Sequence, residues 1–146
     1  MKLRLRGAIA AGAGIVALSA SFMPLFTGER NIGVHTHHID HAVLMLFGVI
    51  IGLAVYRPKS EVLSPLWLWL TLLPLIAAMV LMSPALYAIV DAHPIAHSFG
   101  HLVFVILAAL CAYAGQRYVR GVGWITAFLL EIMAFAAAFG YGIAPR

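Results

Sequence analysis

The chain has 146 residues, of which 64% are hydrophobic and only 10% are charged, and its mean hydropathy is +1.02. A soluble domain is usually about 45–50% apolar and about 25% charged, so this composition excludes a water-soluble globular protein and a disordered chain. The formal net charge of +4 is better explained by membrane topology signals than by nucleic-acid binding. The sequence therefore predicts a single all-α integral membrane domain over residues 1–146.

Five apolar stretches are long enough to cross the hydrocarbon core of a bilayer, which needs about 20 residues. In chain order these predicted spans are Leu5–Phe26, His37–Tyr56, Pro65–Val90, Pro94–Tyr118 and Gly123–Ile143. Their connections are short, so neighbouring spans are expected to be antiparallel. The first span has a basic start and small residues near Ala17 and Ser19, which leaves a cleaved signal peptide as its alternative interpretation. An uncleaved first span is the favoured one.

The basic residues predict the orientation of this bundle, because short cytoplasmic loops are enriched in Lys and Arg. Seven of them fall on one side of a five-span arrangement: Lys2, Arg4, Arg6, Arg57, Lys59, Arg117 and Arg120. The opposite side holds Glu29, Arg30, Asp91 and Arg146. We therefore expect a protein of the cytoplasmic (inner) membrane with its N-terminus inside and its C-terminus outside.

All seven histidines lie at the outer ends of the second and fourth spans. They form two clusters, namely His35, His37, His38 and His41, and then His93, His97 and His101. Several of them are four residues apart, which places two side chains on one helix face with Cβ atoms about 5–6 Å apart. A histidine pair with this spacing can hold one metal ion, as it does in helical zinc sites.

An internal repeat relates the two clusters. Residues 37–57 (HHIDHAVLMLFGVIIGLAVYR) align without a gap with residues 97–117 (HSFGHLVFVILAALCAYAGQR). The alignment matches two histidine pairs and the terminal arginines, that is His37 with His97, His41 with His101, and Arg57 with Arg117. A repeat of two helices in the same orientation implies a pseudo-twofold axis along the membrane normal. Spans two and three would then correspond to spans four and five, and four imidazoles would converge near the outer leaflet.

The leading predicted metal ligands are His37, His41, His97 and His101, followed by His93 and Asp40. Neutral imidazoles suit copper, zinc or iron, and the Irving–Williams order favours copper at a nitrogen-rich site. Haem b is the competing cofactor, because His41 and His101 would supply one axial ligand from each of two helices. The single cysteine, Cys111, excludes a cysteine-based zinc site.

Two carboxylates are candidates for catalysis, although the residues leave open whether the protein is an enzyme. Glu131 lies near the centre of the fifth predicted span, where ionisable residues are costly and usually functional. It would serve either as a proton relay or as a polar packing contact. Asp40 would either cap the start of its helix or orient an imidazole N–H.

Two segments resemble the PAQR and haemolysin III membrane proteins. The run HHIDHAVLMLFG is similar to their Asp-bearing helix, and HSFGHLVFVILAALCAY is similar to their last helix, which carries the HxxxH pattern. The resemblance implies zinc ligation by His97 and His101, with Asp40 beside the zinc-bound water. This chain has five predicted spans rather than that family's seven, and only His35 could replace the family's further histidine on a preceding helix.

These features predict a metal- or haem-binding membrane protein with its site at the outer (periplasmic) face. The expected role is redox, electron transfer or metal handling, as an accessory subunit of a respiratory or oxidase-type complex. The alternatives are a zinc-dependent membrane hydrolase acting on a lipid or amide, and a structural membrane subunit without a metal. The lipid bilayer and other membrane subunits are the expected partners.

Overall fold

The computed structural model describes residues 3–27, 34–57, 63–81, 83–119, 121, 124–125, 128–129 and 132. Five helices lie within them: α1 (Leu3–Thr27), α2 (Val34–Val55), α3 (Pro65–Leu81), α4 (Pro84–Asp91) and α5 (Pro94–Tyr118). No strand occurs in this part of the chain, so the predicted all-α class is confirmed.

Two helical segments, Leu3–Met23 and Pro94–Tyr118, are long and apolar enough to cross a membrane. The segments Asp40–Val55 and Pro65–Leu81 are apolar but shorter. Large apolar side chains also cover much of the outer surface of the bundle, as at Ile15 and Phe99. Soluble monomers rarely expose apolar surface on this scale, so the surface agrees with the membrane class predicted from composition.

The third predicted span, residues 65–90, is divided at Ser83 into α3 and α4. Pro84 has no amide hydrogen to continue the helix, and its ring would clash with the carbonyl group one turn earlier. The Ser83 amide instead donates to the Val80 carbonyl oxygen (3.0 Å), which closes the last turn of α3, and Pro84 becomes the first residue of the next helix. Pro74, by contrast, is accommodated inside α3.

Helices α2 and α5 pack in parallel. Their contacts advance in the same direction along both helices, from His41 with His101 through Gly48 with Val105 and Gly52 with Ala109 to Tyr56 with Tyr113. A Cβ atom at Gly48 would overlap the Val105 carbonyl oxygen, and one at Gly52 would overlap that of Ala109. The two glycines therefore allow an approach of the backbones that no larger residue permits.

Helix α1 runs antiparallel to both. The Arg6 guanidinium, near its start, donates from Nη1 to the carbonyl oxygen of Tyr56 just beyond the end of α2 (2.7 Å). The Phe22 ring, near its end, meets the Phe99 ring near the start of α5 (centroids 5.5 Å apart). The N-terminus of α1 thus shares one end of the bundle with the C-termini of α2 and α5.

The core surrounds α5. On one side its buried residues meet α2 and α3 in a cluster of Ala42, Met45, Val49, Ala78, Phe104, Ala108, Cys111 and Ala112. On another side Val105 packs with Ala17 of α1 and Leu44 of α2. The Cys111 thiol donates to the Thr71 carbonyl oxygen (3.3 Å), so this cysteine is a buried packing residue. Helix α5, which carries His97 and His101, is therefore packed against α1, α2 and α3.

Most of the fifth predicted span lies outside the described residues, and Glu131 is one of the residues that are not described. Within that span Trp124, Ile125, Phe128, Leu129 and Ile132 are helical and exposed.

Candidate metal centre

Three histidines from two helices come together at one end of the bundle. One ligand nitrogen from each of His41, His97 and His101 lies within 4.8 Å of the others. The ring centroids are 4.8 Å apart for His41 and His101, 4.5 Å for His97 and His101, and 6.5 Å for His41 and His97. A tetrahedral ion with metal–nitrogen bonds of about 2.0–2.1 Å separates its ligand atoms by about 3.3 Å. Small side-chain rotations would therefore bring all three rings onto one ion.

The start of α5 places two of the three rings. Pro94 occupies the first turn of α5, where its missing amide hydrogen costs nothing and its fixed backbone angle suits a helix. The His97 amide then donates to the His93 carbonyl oxygen (2.8 Å). This early start leaves His97 and His101 one turn apart on the same face.

Helix α2 supplies the third ring. His41 is 4% exposed and His101 is 3% exposed, whereas His97 is half-buried. The ring of His41 also lies against Phe104, with centroids 4.9 Å apart. Gly48 and Gly52, which follow His41 along α2, contact the backbone of α5. These contacts keep α2 close to α5 and so position His41 near His101. The site is therefore buried at two ligands and reaches the surface past the third.

A small cavity adjoins the three rings. It has a volume of about 30 Å³, and its other walls are Leu81, Val90, Gly100 and Phe104. A water molecule needs about 10–15 Å³ on this measure, so the cavity accepts one or two waters or a ligand of similar size. Leu81 ends α3 and Val90 belongs to α4, so the break at Ser83 contributes two of the walls. A Cβ atom on Gly100 would lie 3.3 Å from Cγ1 of Val90, which leaves little space on that side.

The other sequence-predicted residues lie elsewhere or outside the described set. His93 is exposed at the N-cap of α5 and is not one of the three converging histidines. Asp40 is half-buried and is also outside that group. The side chain of His37, the fourth leading ligand, is beyond the described part of the chain, as are those of His35, His38, Asp91 and Glu131.

Several residues of the site carry no signal in the sequence. Nothing in the pattern marks Leu81 and Val90, because they approach the histidines only through the break between α3 and α4. Ser98 is fully buried, and its Oγ makes no hydrogen bond to the described residues. It directly follows His97 along α5, but it is not among the residues that line the cavity.

Three neutral imidazoles make a donor set for first-row transition metals, and they leave a fourth tetrahedral position open. That position would face the cavity. No protein-family model, curated protein or solved structure matches the chain. Fold and site together define a helical protein with two helices able to span a membrane and a three-histidine candidate metal centre.

Proposed function

We propose that this chain is an integral membrane protein that binds one transition-metal ion through His41, His97 and His101. The observation that carries the proposal is the convergence of these three side chains, from two helices, to within 4.8 Å. The burial of His41 and His101 supports it, because the apolar surroundings of a metal site control the access of solvent to the ion.

The proposed topology has five spans, with residues 123–143 as the fifth and the histidines at the outer face. Four basic residues, Arg4, Arg6, Arg57 and Arg117, lie at the end of the bundle opposite the histidines. At the same end the Arg117 guanidinium carbon lies 5.7 Å from the Trp67 ring centroid. Basic and aromatic residues together are typical of a cytoplasmic membrane boundary. The parallel packing of α2 and α5 supports the tandem repeat within this topology.

Copper is the ion that we propose first, because a nitrogen-rich site binds it most tightly among the divalent first-row metals. The geometry favours a bare ion over haem b. Pockets for ligands of drug size or larger have about 300–1,000 Å³, whereas the cavity here has about 30 Å³. The centroids of His41 and His101 are 4.8 Å apart. Two axial rings on opposite sides of an iron, with bonds of about 2.0 Å, would be about 6 Å apart.

The proposed role is electron transfer or metal handling, as an accessory subunit of a larger membrane complex. The described residues are almost entirely apolar helix, which supports a role inside a larger membrane complex. An ion near the outer end of the bundle would be accessible to a redox partner or a metal donor on that side.

A zinc-dependent membrane hydrolase is the second candidate. Three histidines with an open fourth position are the ligand set of some catalytic zinc sites, and the resemblance to the PAQR family would imply zinc ligation by His97 and His101. The present cavity admits a water molecule but not a lipid chain. A lipid substrate would therefore require α4 to move away from α5.

Metal analysis and an optical spectrum of the same purified sample test the proposal. After loading and removal of excess metal, we expect one equivalent of copper per chain and no haem absorption band. Zinc at one equivalent, together with hydrolysis of a lipid or amide, would support the second candidate instead. A haem spectrum, or no retained metal of any kind, would contradict the three-histidine proposal.

The size of the cavity predicts which external ligands reach the ion. We expect azide, with three atoms in a line, to bind the copper(II)-loaded protein, because the open space accepts about two waters. Free imidazole, a planar five-membered ring, is expected to bind at least about tenfold more weakly. Titrations followed by electron paramagnetic resonance give both affinities. Equal affinities for azide and imidazole would mean that the cavity does not restrict the size of ligands at the open coordination position.

A further inference from the structure

Arg6 is a charged side chain held between two helices at the end of the bundle opposite the histidines. Its Nη1 is fixed on the Tyr56 carbonyl oxygen at 2.7 Å. Its Nε is buried and has no hydrogen-bond partner in the structure. The side chain as a whole is half-buried. A partly desolvated guanidinium is stabilised by an anion that takes up its remaining donors.

The described part of the chain supplies no such anion nearby. The one carboxylate side chain among the described residues, that of Asp40, lies near the histidine end of α2. The described charges around Arg6 are positive, since Arg4 and Arg57 are both exposed and Arg57 directly follows the residue that Arg6 contacts. Among the described residues, this end of the bundle therefore carries a concentration of positive charge.

Exposed apolar residues lie on the same face of α1 as Arg6. Leu3 and Ile9, three residues to either side, are 63% and 37% exposed. Residues three apart share one side of a helix. Ile9 lies on the side of Arg6 that leads into the apolar part of α1. The surface thus places a guanidinium at the membrane boundary and aliphatic groups next to it.

We propose that Arg6, together with Arg57, binds the phosphate of an anionic phospholipid whose acyl chains lie along Ile9 of α1. Arginine presents planar paired donors that match phosphate oxygens, and basic pockets between helices on the cytoplasmic side are suited to anionic headgroups. The proposal rests on the membrane topology proposed above but not on the metal. A soluble phosphate would gain nothing from the apolar residues, so a lipid is the expected ligand.

Lipid binding to the full chain in detergent tests this site. Native mass spectrometry would count bound phosphatidylglycerol and bound phosphatidylcholine, and thermal unfolding would be followed in both lipids and in inorganic phosphate. We expect phosphatidylglycerol to bind about tenfold more tightly than phosphatidylcholine, a ratio that corresponds to about 1.4 kcal/mol, because basic residues at the membrane surface attract anionic headgroups. Inorganic phosphate alone is expected to leave the unfolding midpoint unchanged.

Two matched variants locate the effect. Arg6→Gln is expected to remove the preference for phosphatidylglycerol, whereas Arg4→Gln, with the same change of charge at an exposed position, should retain most of it. Arg6→Lys, which keeps the charge but not the paired donors, serves if Arg6→Gln does not fold, and an intermediate affinity is expected. Equal losses in the Arg4 and Arg6 variants, no lipid preference, or equal protection by inorganic phosphate would each overturn the proposal. Metal content measured on the same samples shows separately whether the histidine site is intact.

Discussion

His101→Ala is expected to abolish stoichiometric metal binding. His101 is almost fully buried and is the ring closest to both other histidines. Its removal leaves two donors for an ion that needs at least three protein ligands at a site of this type. Loss of an outer-shell partner alone costs 10–100-fold in metal affinity, so loss of a ligand should cost more than about 100-fold. Competition titration with a chelator of known affinity measures this change.

His93→Ala is the matched control for that experiment. It removes the same imidazole from the same helix, but at an exposed position outside the converging group. We expect its metal affinity to stay within a few-fold of the parent protein. Circular dichroism establishes that each variant is folded, and His97→Ala, at a half-buried position, is the substitute if His101→Ala is not. Metal retained by His101→Ala, or equal losses in the His93 and His101 variants, would show that the ion binds elsewhere.

Gly48→Ala is expected to destabilise the bundle and to weaken metal binding at the same time. Its Cβ would overlap the Val105 carbonyl oxygen and lie 2.9 Å from Cβ of Ala108. Backbone atoms cannot rotate away, so α2 and α5 must separate. Overpacking of this kind costs about 1–3 kcal/mol. The separation also moves His41 away from His101, so chelator competition should show a weaker site in parallel with a lower unfolding midpoint.

Gly14→Ala provides the comparison. A Cβ at Gly14 meets nothing within 4 Å, and alanine is favoured over glycine inside a helix by about 0.5–1 kcal/mol. This variant should be as stable as the parent or slightly more stable, with unchanged metal affinity. If the Gly14 and Gly48 variants behave alike, the close packing of α2 on α5 is not what sets the histidine geometry.

The sequence predicted the bounds of a helix well where the length of the apolar stretch and the position of a proline indicate the same start. The fourth predicted span, Pro94–Tyr118, coincides with α5 residue for residue, because proline favours the first helical turn and Gly121, which adopts a positive φ, closely follows the last one. The prediction of one continuous third span was wrong, because residues 65–90 form two helices, α3 and α4. Both Pro74 and Pro84 lie in an apolar stretch, but only Pro84 ends a helix, and apolar length alone does not distinguish a tolerated proline from a helix break.

The ligands were more predictable than their surroundings. Four-residue spacing identifies His97 and His101 as a pair, and the repeat suggests His41 as a ligand from the other helix. The gapless repeat alignment pairs His41 with His101, and the structure brings the centroids of these two rings to 4.8 Å. The close approach of Gly48 and Gly52 to the backbone of α5 depends on tertiary packing, which the histidine pattern does not encode. The cavity walls depend on tertiary packing for the same reason.

The proposed ion would join two helices that are far apart in the sequence. His41 and His97 are separated along the chain by all of α3 and α4, yet both would bind the same ion. Metal would then cross-link two distant parts of the polypeptide, as a disulfide does when it closes a long loop. The opposite end of the bundle is held by glycine contacts that need no ion. Removal of the metal should therefore loosen the bundle from its histidine end, while the opposite end remains assembled.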